Sequence, residues 1–225
     1  MAIARFEYLE FEFDEEYIDA RTLPELSHEE AKIMLIKTQE IFKEAGIDIY
    51  LAFGTLLGAI REGDFIKGDS DADVYARSEK EVFENLAFFK SRGLELVRYT
   101  QNYEFSFRYN ETKKFFIDVF VLGQPKGIWK LYCYKLADWY VPKRYVNQEE
   151  TIVFLGRPFK VAKKPRRLLK FWYGKTWDIP ISKFDGKFKY DVYSHIYYLK
   201  FKKTKFGLFL RDIYRYFFKS QQNNE

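Results

Sequence analysis

The chain has 225 residues, 47% hydrophobic and 32% charged, and its net charge of +5 gives a pI near 9.0. This length and composition predict one globular domain over residues 1–225 and exclude a globally disordered protein. A single cysteine and two histidines exclude an internal disulfide framework and most zinc sites built on Cys or His.

The first half of the chain shows alternating strand and helix patterns. Residues 1–26 alternate apolar and acidic side chains, which is typical of an edge strand. Ser27 and Glu30 form a capping-box pattern, which predicts a helix that ends at Gly46. A buried strand over Ile47–Phe53 should follow.

The next elements predict the fold class. Gly54-Thr55 reads as a turn into a short helix, and the segment around Asp71–Tyr75 reads as a strand. An amphipathic helix over Glu79–Gly93 precedes three strand-like runs: 94–100, 103–109 and 115–122, the last two joined by a polar turn at 110–114. This order predicts a mixed α/β (α+β) sheet. Its core would cover about 27–180, with a basic helical C-terminal segment over about 181–219.

Three aspartates stand out as candidate metal ligands and catalytic residues. Asp71 and Asp73 flank Ala72 on a predicted strand, so both carboxylates should project from one face. Asp118 interrupts an apolar strand, where a lone acid is unfavourable without a partner. Carboxylates plus substrate phosphate oxygens suit Mg²⁺, or Mn²⁺ in its place. Asp69 lies on the same alternation as a further candidate ligand.

These acids also have a simpler interpretation as structural residues. Asp69, Asp71 and Asp73 could form a solvated acidic turn, and Asp118 could be a capped or edge-strand carboxylate. A calcium loop is excluded, because the EF-hand positions that require Gly and Glu hold Val74 and Lys80.

Other residues are candidates for binding phosphate. Gly54 permits close backbone approach, and the Thr55 hydroxyl and helix N-terminal amides can bind phosphate oxygens. Basic side chains should offset substrate charge, and Lys67 and Lys163 are the leading candidates, with Lys164, Arg166 and Arg167 behind them. For any single one of these cations a solvated basic face is the alternative.

The segment GTLLGAIREGDFIKGDSDADV resembles the signature of the LicD family, which includes fukutin and fukutin-related protein. FFIDVFVL resembles its later metal-binding strand, and the segment from Phe159 to Pro180 resembles its Pro-containing segment and Tyr-Gly…Trp…Pro ending. Arg61 matches the arginine of the motif, which implies a phosphate-binding or structural role. The chain lacks the Pro-Trp that often precedes the family's Asp run.

The resemblance implies a nucleotidyltransferase fold and a particular chemistry. The expected reaction transfers a phospho-alcohol group, phosphocholine-like or polyol phosphate, from a CDP-linked donor to a glycan hydroxyl and releases CMP. The acceptor glycan, free or lipid-linked, would belong to a cell-surface polymer such as capsule or lipopolysaccharide.

Two rival functions remain open from the sequence. The first is a nucleotidyltransferase that moves an NMP from an NTP to a small molecule, RNA or protein. The second is a non-enzymatic module that binds nucleic acid or glycan. No recognised nucleic-acid-binding motif is present, so no nucleic-acid partner is expected.

Hydropathy gives an expectation for the cellular location of the protein. The sequence shows no signal-peptide pattern and no apolar run of the roughly 18 residues that a transmembrane helix needs. We therefore expect a cytoplasmic protein. Its C-terminal helix, with Phe206, Phe209 and Ile213 among basic residues, could rest on the inner face of a membrane or pack on its own domain.

Overall fold

The structure is a computed structural model that describes residues 1–16, 27–67, 69, 71–109, 116–137 and 139–180. The predicted turn at 110–114 and the predicted helical segment 181–219 lie outside the described residues. The chain divides into two compact units, Met1–Leu169 and Lys170–Glu225. The sheet and the candidate site belong to the first unit, and residues 170–180 of the second are described.

The described residues form eleven strands, six α-helices and one 3₁₀ helix. The strands are β1 (Ala2–Phe6), β2 (Leu9–Phe13), β3 (Ile49–Leu51), β4 (Asp71–Ala76), β5 (Leu94–Thr100), β6 (Glu104–Tyr109), β7 (Phe116–Gly123), β8 (Cys133–Leu136), β9 (Trp139–Pro142), β10 (Glu149–Phe154) and β11 (Arg157–Ala162). The helices are α1 (His28–Glu44), α2 (Phe53–Arg61), α3 (Glu79–Glu84), α4 (Leu86–Ser91), α5 (Lys143–Val146) and α6 (Pro165–Tyr173), with the 3₁₀ helix at Gly127–Leu131. None of the helices within these ranges is long and apolar enough to cross a bilayer.

The main sheet is mixed, as the sequence predicts. Its strand order is β10-β11-β3-β4-β7-β6-β5, and the β8-β9 hairpin extends from β7. The pairs β4-β7 and β11-β3 are parallel, and the other neighbours are antiparallel. This arrangement is a mixed α/β sheet.

The N-terminal segment differs from the prediction of an edge strand. β1 and β2 pair with each other as a separate two-stranded sheet. Glu7 lies in the turn between them with a φ of 53°. The segment after β2 reaches the main sheet, where the Glu16 amide donates to the Val97 carbonyl of β5 at 3.0 Å.

The core lies against one face of the main sheet. Side chains alternate across each strand, so Ala72 of β4, Ile117 of β7 and Phe107 of β6 share this face through their register. Phe42 of α1 stacks on Phe89 of α4 with ring centroids 4.4 Å apart, and both rings pack edge-on against Phe107. The helices therefore cover this face, while the other face carries the acidic side chains.

Three predicted elements need correction. Gly54 and Thr55 lie inside the first turn of α2 and do not form a turn of their own. The helix predicted over Glu79–Gly93 is two short helices, because Asn85 ends the first one and its side-chain amide donates to the Glu81 carbonyl at 2.9 Å. The four strands β8 to β11 were not predicted.

Candidate metal centre and active site

Three carboxylates meet where two parallel strands begin. In the pairing of β4 with β7, Asp73 is the direct partner of Asp118, and Asp71 lies two residues earlier on the same face of β4. One carboxylate oxygen from each of these three residues lies within 4.8 Å of the others. The structure thus brings together the three acids that the sequence selects.

The first turn of α2 holds Asp73 from the side. The Gly54 amide donates to Asp73 Oδ2 at 2.9 Å, and the Thr55 hydroxyl oxygen accepts from the Asp73 amide at 2.8 Å. The Asp73 carbonyl accepts from the Ala52 amide at 3.0 Å. Because Thr55 is fully buried, these contacts fix the strand and the helix as one unit. The predicted phosphate-binding role of Gly54 and Thr55 stays a prediction.

Gly54 is also a close-packing position. A Cβ atom built there would lie 2.9 Å from Asp69 Oδ2 and 3.2 Å from Asp73 Oδ2. Both carboxylates therefore approach the helix start closely, and only a residue without a side chain leaves them room. Asp69 lies beside Asp73 in this way but is not one of the three acids that converge.

Asp118 has polar neighbours that were not predicted from the sequence. Ser106 of β6 is its cross-strand partner, and Arg98 Nη2 of β5 lies 3.7 Å from its Oδ1. Arg98 Nε also forms an ion pair with the buried Glu104 at 3.0 Å. Among the described residues neither Asp118 Oδ1 nor the Ser106 hydroxyl has a hydrogen bond of ordinary geometry.

Burial and mutual repulsion control the ionisation of these acids. Burial raises the pKa of Asp73 well above its usual range, and the Asp71, Asp118 and Asp69 carboxylates raise it further, against the opposing Gly54 amide. A cluster of this kind resists carrying its full negative charge without a cation.

Asp118 shows the same effect. Burial raises its pKa from 3.8 to about 6, and the charge of Asp71 adds to the rise. Ser106 and Arg98 lower this pKa, but less strongly. The residue is thus partly protonated near neutral pH in the absence of a cation.

The donor set fits a hard divalent cation. The three acids offer one carboxylate oxygen each within 4.8 Å of one another, and carboxylate oxygens are the ligands that Mg²⁺ prefers. Asp71, Asp73 and Asp118 are therefore the residues that would hold the metal.

The other predicted site residues, Arg61, Lys67 and Lys163, have three different environments. Arg61, at the end of α2, pairs through its guanidinium with neighbouring Glu62. Lys67 is exposed. Lys163 follows β11 and lines a separate basic cavity. The phosphate-binding roles of these three residues stay predictions.

Aromatic side chains next to the acids were also missed by the sequence reading. Phe53, which directly precedes Gly54, has a φ of 34° and thus stands in the left-handed region that non-glycine residues rarely adopt. Its ring lies 5.0 Å from that of Phe120 and 6.4 Å from that of Trp139, measured between centroids. Phe120 follows Asp118 by two residues, so this aromatic wall stands on the acidic face of the sheet.

Comparison with known families identifies a matching domain. A family model described as "LicD/FKTN/FKRP, nucleotidyltransferase domain" matches residues 46–164, which is more than half of the chain. The match contains all three converging acids and the start of α2. The family-like ending over 168–180 lies beyond it. No curated protein matches the chain.

Several solved structures are similar in fold. The antibiotic-resistance factor ANT(2″)-Ia in solution is 13% identical, covers 88% of this chain and 95% of that one, and has a TM-score of 0.45. The same factor in complex with adenylyl-2″-tobramycin is 16% identical, with coverages of 85% and 98% and a TM-score of 0.46. The lincosamide antibiotic adenylyltransferase LnuA, lincomycin-bound, is 10% identical, with coverages of 65% and 86% and a TM-score of 0.45.

Proposed function

The chain belongs to the LicD/FKTN/FKRP nucleotidyltransferase-domain family, and from this membership we propose that it is a metal-dependent phosphotransferase with a CDP-linked donor. In this proposal it moves a phospho-alcohol group, phosphocholine-like or polyol phosphate, to a hydroxyl of a glycan and releases CMP. The broader class, a transferase of phospho-type groups, follows from the family itself.

One observation carries the proposal. Asp71, Asp73 and Asp118 converge on one face of the sheet at the start of two parallel strands, inside the matched family domain. Burial and neighbouring carboxylates raise the pKa of Asp73 and of Asp118, so their charged forms are costly for the fold unless they serve a bound cation.

The reaction can be written with its bonds balanced. The acceptor hydroxyl oxygen forms a bond to the phosphorus that carries the alcohol, and the bond from that phosphorus to the bridging oxygen breaks. CMP leaves with the bridging oxygen and its electron pair, while the acceptor proton passes to a carboxylate. Asp118 is our candidate for that carboxylate, because it completes the acidic cluster beside Asp71 and Asp73, next to the position of the attacking hydroxyl in this proposal.

The chain's own residues prepare the site for this transfer. Asp71, Asp73 and Asp118 would hold Mg²⁺, which would neutralise charge on the diphosphate and favour attack at phosphorus. Gly54 and Thr55 fix Asp73 through the hydrogen bonds described above. Arg61 and Lys67 are the cations that we propose offset the remaining donor charge.

The proposal is tested by measuring CMP release from CDP-choline and CDP-ribitol with a glycan acceptor. We expect Asp71→Asn and Asp73→Asn each to lower turnover by about 100-fold or more, because each removes a charged metal ligand. Asp14→Asn, at a side chain that is 90% exposed, is the matched control and should keep full activity. Near-normal turnover in either site variant would contradict the assignment.

The same assay separates the rival chemistry. A nucleotidyltransferase that uses the identical carboxylates would release pyrophosphate from an NTP and would leave CDP-alcohols intact. Pyrophosphate release in place of CMP release would show that the three acids serve nucleotidyl transfer.

A further inference from the structure

A second concave site lies at the same edge of the sheet as the acids. It is a cavity of about 540 Å³ formed by α5, the loop that follows α5, the end of β11 and the first turn of α6. Its volume falls within the range of roughly 300 to 1,000 Å³ that is usual for ligand pockets. The lining residues are Arg144, Tyr145, Asn147, Gln148, Lys163, Lys164 and Arg167.

All the charged side chains that line this cavity are positive. Four of its lining side chains are cations, and none is a carboxylate. In the described part of the chain, no ion pair involves Arg144, Lys163, Lys164 or Arg167. Glu150, on the Lys164 amide, is the one carboxylate that a described contact places at this wall. Four cations around one concavity outnumber it, so they repel one another and favour a bound anion.

Hydrogen bonds hold the walls of the cavity in place. The Lys163 amide is shared between the Tyr145 and Gln148 carbonyls, at 3.0 Å each, and the Lys163 ammonium contacts the Gln148 side chain. The Lys164 amide donates to Glu150 Oε1 at 3.1 Å. Lys164 itself has a φ of 58°, an unfavourable backbone for a residue with a side chain, at the junction of β11 and α6. The Arg144 and Arg167 side chains take no part in these wall contacts.

Strand register places the cavity beside the acids. β11 runs parallel to β3 with Lys160 opposite Tyr50, so Lys163 follows β11 at the edge where α2 follows β3. β4 is antiparallel to β3, so Asp71 and Asp73 start β4 at that same edge. β3 alone lies between β11 and β4 in the sheet, so two strand spacings of about 4.8 Å separate the backbones of β11 and β4.

From this geometry we infer that the cavity binds a phosphate group of the acceptor, and that the acceptor is a phosphorylated saccharide. The acids and their metal bind the donor diphosphate, so a second anion site two strands away belongs to the other substrate. A guanidinium pair such as Arg144 and Arg167 suits phosphate, because each can donate two hydrogen bonds to it. Naming the ligand as the acceptor rests on the proposed function, whereas phosphate binding in the cavity does not.

Calorimetry in EDTA tests the site without metal or CDP donor. Glucose 6-phosphate is the probe and glucose is its uncharged counterpart. We expect glucose 6-phosphate to bind with a dissociation constant on the order of 1 mM and glucose not to bind. The double variant Arg144→Gln with Arg167→Gln should weaken this binding about tenfold, since two charge-assisted donors are lost.

Matched controls make the result specific. Lys43→Gln with Lys90→Gln removes the same charge from exposed positions on α1 and α4 and should leave the affinity unchanged. Arg144 and Arg167 are exposed, so the site variant should unfold at the temperature of the wild type.

Three outcomes would overturn the inference. The first is no binding of glucose 6-phosphate, and the second is equal weakening in both double variants. The third is binding to vesicles of anionic lipid without binding to glucose 6-phosphate, which would make the cavity a headgroup site. Because the donor and the metal are absent, failure of the CDP-donor assay leaves this test intact, and failure here leaves the CDP-donor assay intact.

Discussion

Gly54, in the first turn of α2, packs so closely against the Asp69 and Asp73 carboxylates that an added Cβ atom would contact both. Gly54→Ala should leave the fold intact, because its Cβ would meet only the ends of Asp69 and Asp73 and no backbone. Those carboxylates would have to move by some tenths of an ångström, away from the position that binds the cation. We expect Mg²⁺ affinity to fall about tenfold or more, measured by calorimetry. Ala59→Gly, in the next turn of the same helix, is the control and should keep the affinity.

Some residues of the site could be predicted from the sequence, and others could not. Asp71 and Asp73 could be paired because a strand places alternate residues on one face, and Asp118 because an acid in an apolar run needs a partner. Arg98 could not be found in this way. Period-two alternation puts it on the face of Leu96, but a bulge between the two shifts the register and makes Arg98 the partner of Ser106.

At the element scale, α2 depends on the loop that follows it. A Cβ at Gly58 would lie 2.5 Å from the Asp64 carbonyl oxygen and 3.0 Å from the Ile66 amide nitrogen. Both are backbone atoms, so Gly58→Ala must displace this loop, which leads to the acids of β4. We expect a loss of about 1–3 kcal/mol in the free energy of unfolding, measured with denaturant, together with weaker metal binding.

Gly63 provides the comparison for that prediction. It has a φ of 73° with open space around its Cα, so Gly63→Ala costs only backbone strain of about 1 kcal/mol and displaces no neighbour. It should therefore destabilise without weakening metal binding. Equal metal affinity in both variants would show that the packing of α2 on its loop does not support the site.

Element prediction succeeded where local signals were strong. The helix from Ser27 was predicted from its cap, and the Ser27 hydroxyl does accept from the Glu30 amide at 3.5 Å. β7 was predicted from its apolar run, and β4 was predicted as a strand around Asp71–Tyr75. β8 to β11 were missed because tertiary pairing forms these strands from sequence with a weak alternating pattern: β10, for example, is mostly exposed.

For the whole molecule, the acidic cluster should make stability depend on pH and on metal. The pKa of Asp118 is raised from 3.8 to about 6, so the folded protein binds its proton more tightly than the unfolded chain does. This proton stabilises the fold below about pH 4, and the stabilisation disappears as pH rises through about 6. The charged form at neutral pH then costs roughly 3 kcal/mol.

Thermal unfolding in EDTA checks this dependence. Asp118→Asn removes the charge, so it should melt at the wild-type temperature near pH 4 and several degrees above the wild type at pH 7. Saturating Mg²⁺ should raise the melting temperature of the wild type and raise that of the variant less. The exposed control Asp14→Asn should follow the wild type at both pH values. A variant less stable than the wild type at pH 7 in EDTA would mean that the charged Asp118 supports the fold.

We propose metal-dependent recognition of a CDP-linked alcohol, a proposal that the family match and the convergence of three carboxylates support. The decisive experiment is a calorimetric titration of the purified protein with CDP-choline, CDP-ribitol, CTP and ATP, first with Mg²⁺ and then with EDTA. We expect one CDP-alcohol to bind with Mg²⁺, and we expect EDTA and Asp71→Asn each to abolish this binding. Binding of CTP or ATP in preference to both CDP-alcohols, or binding that survives EDTA, would show that the proposal is wrong.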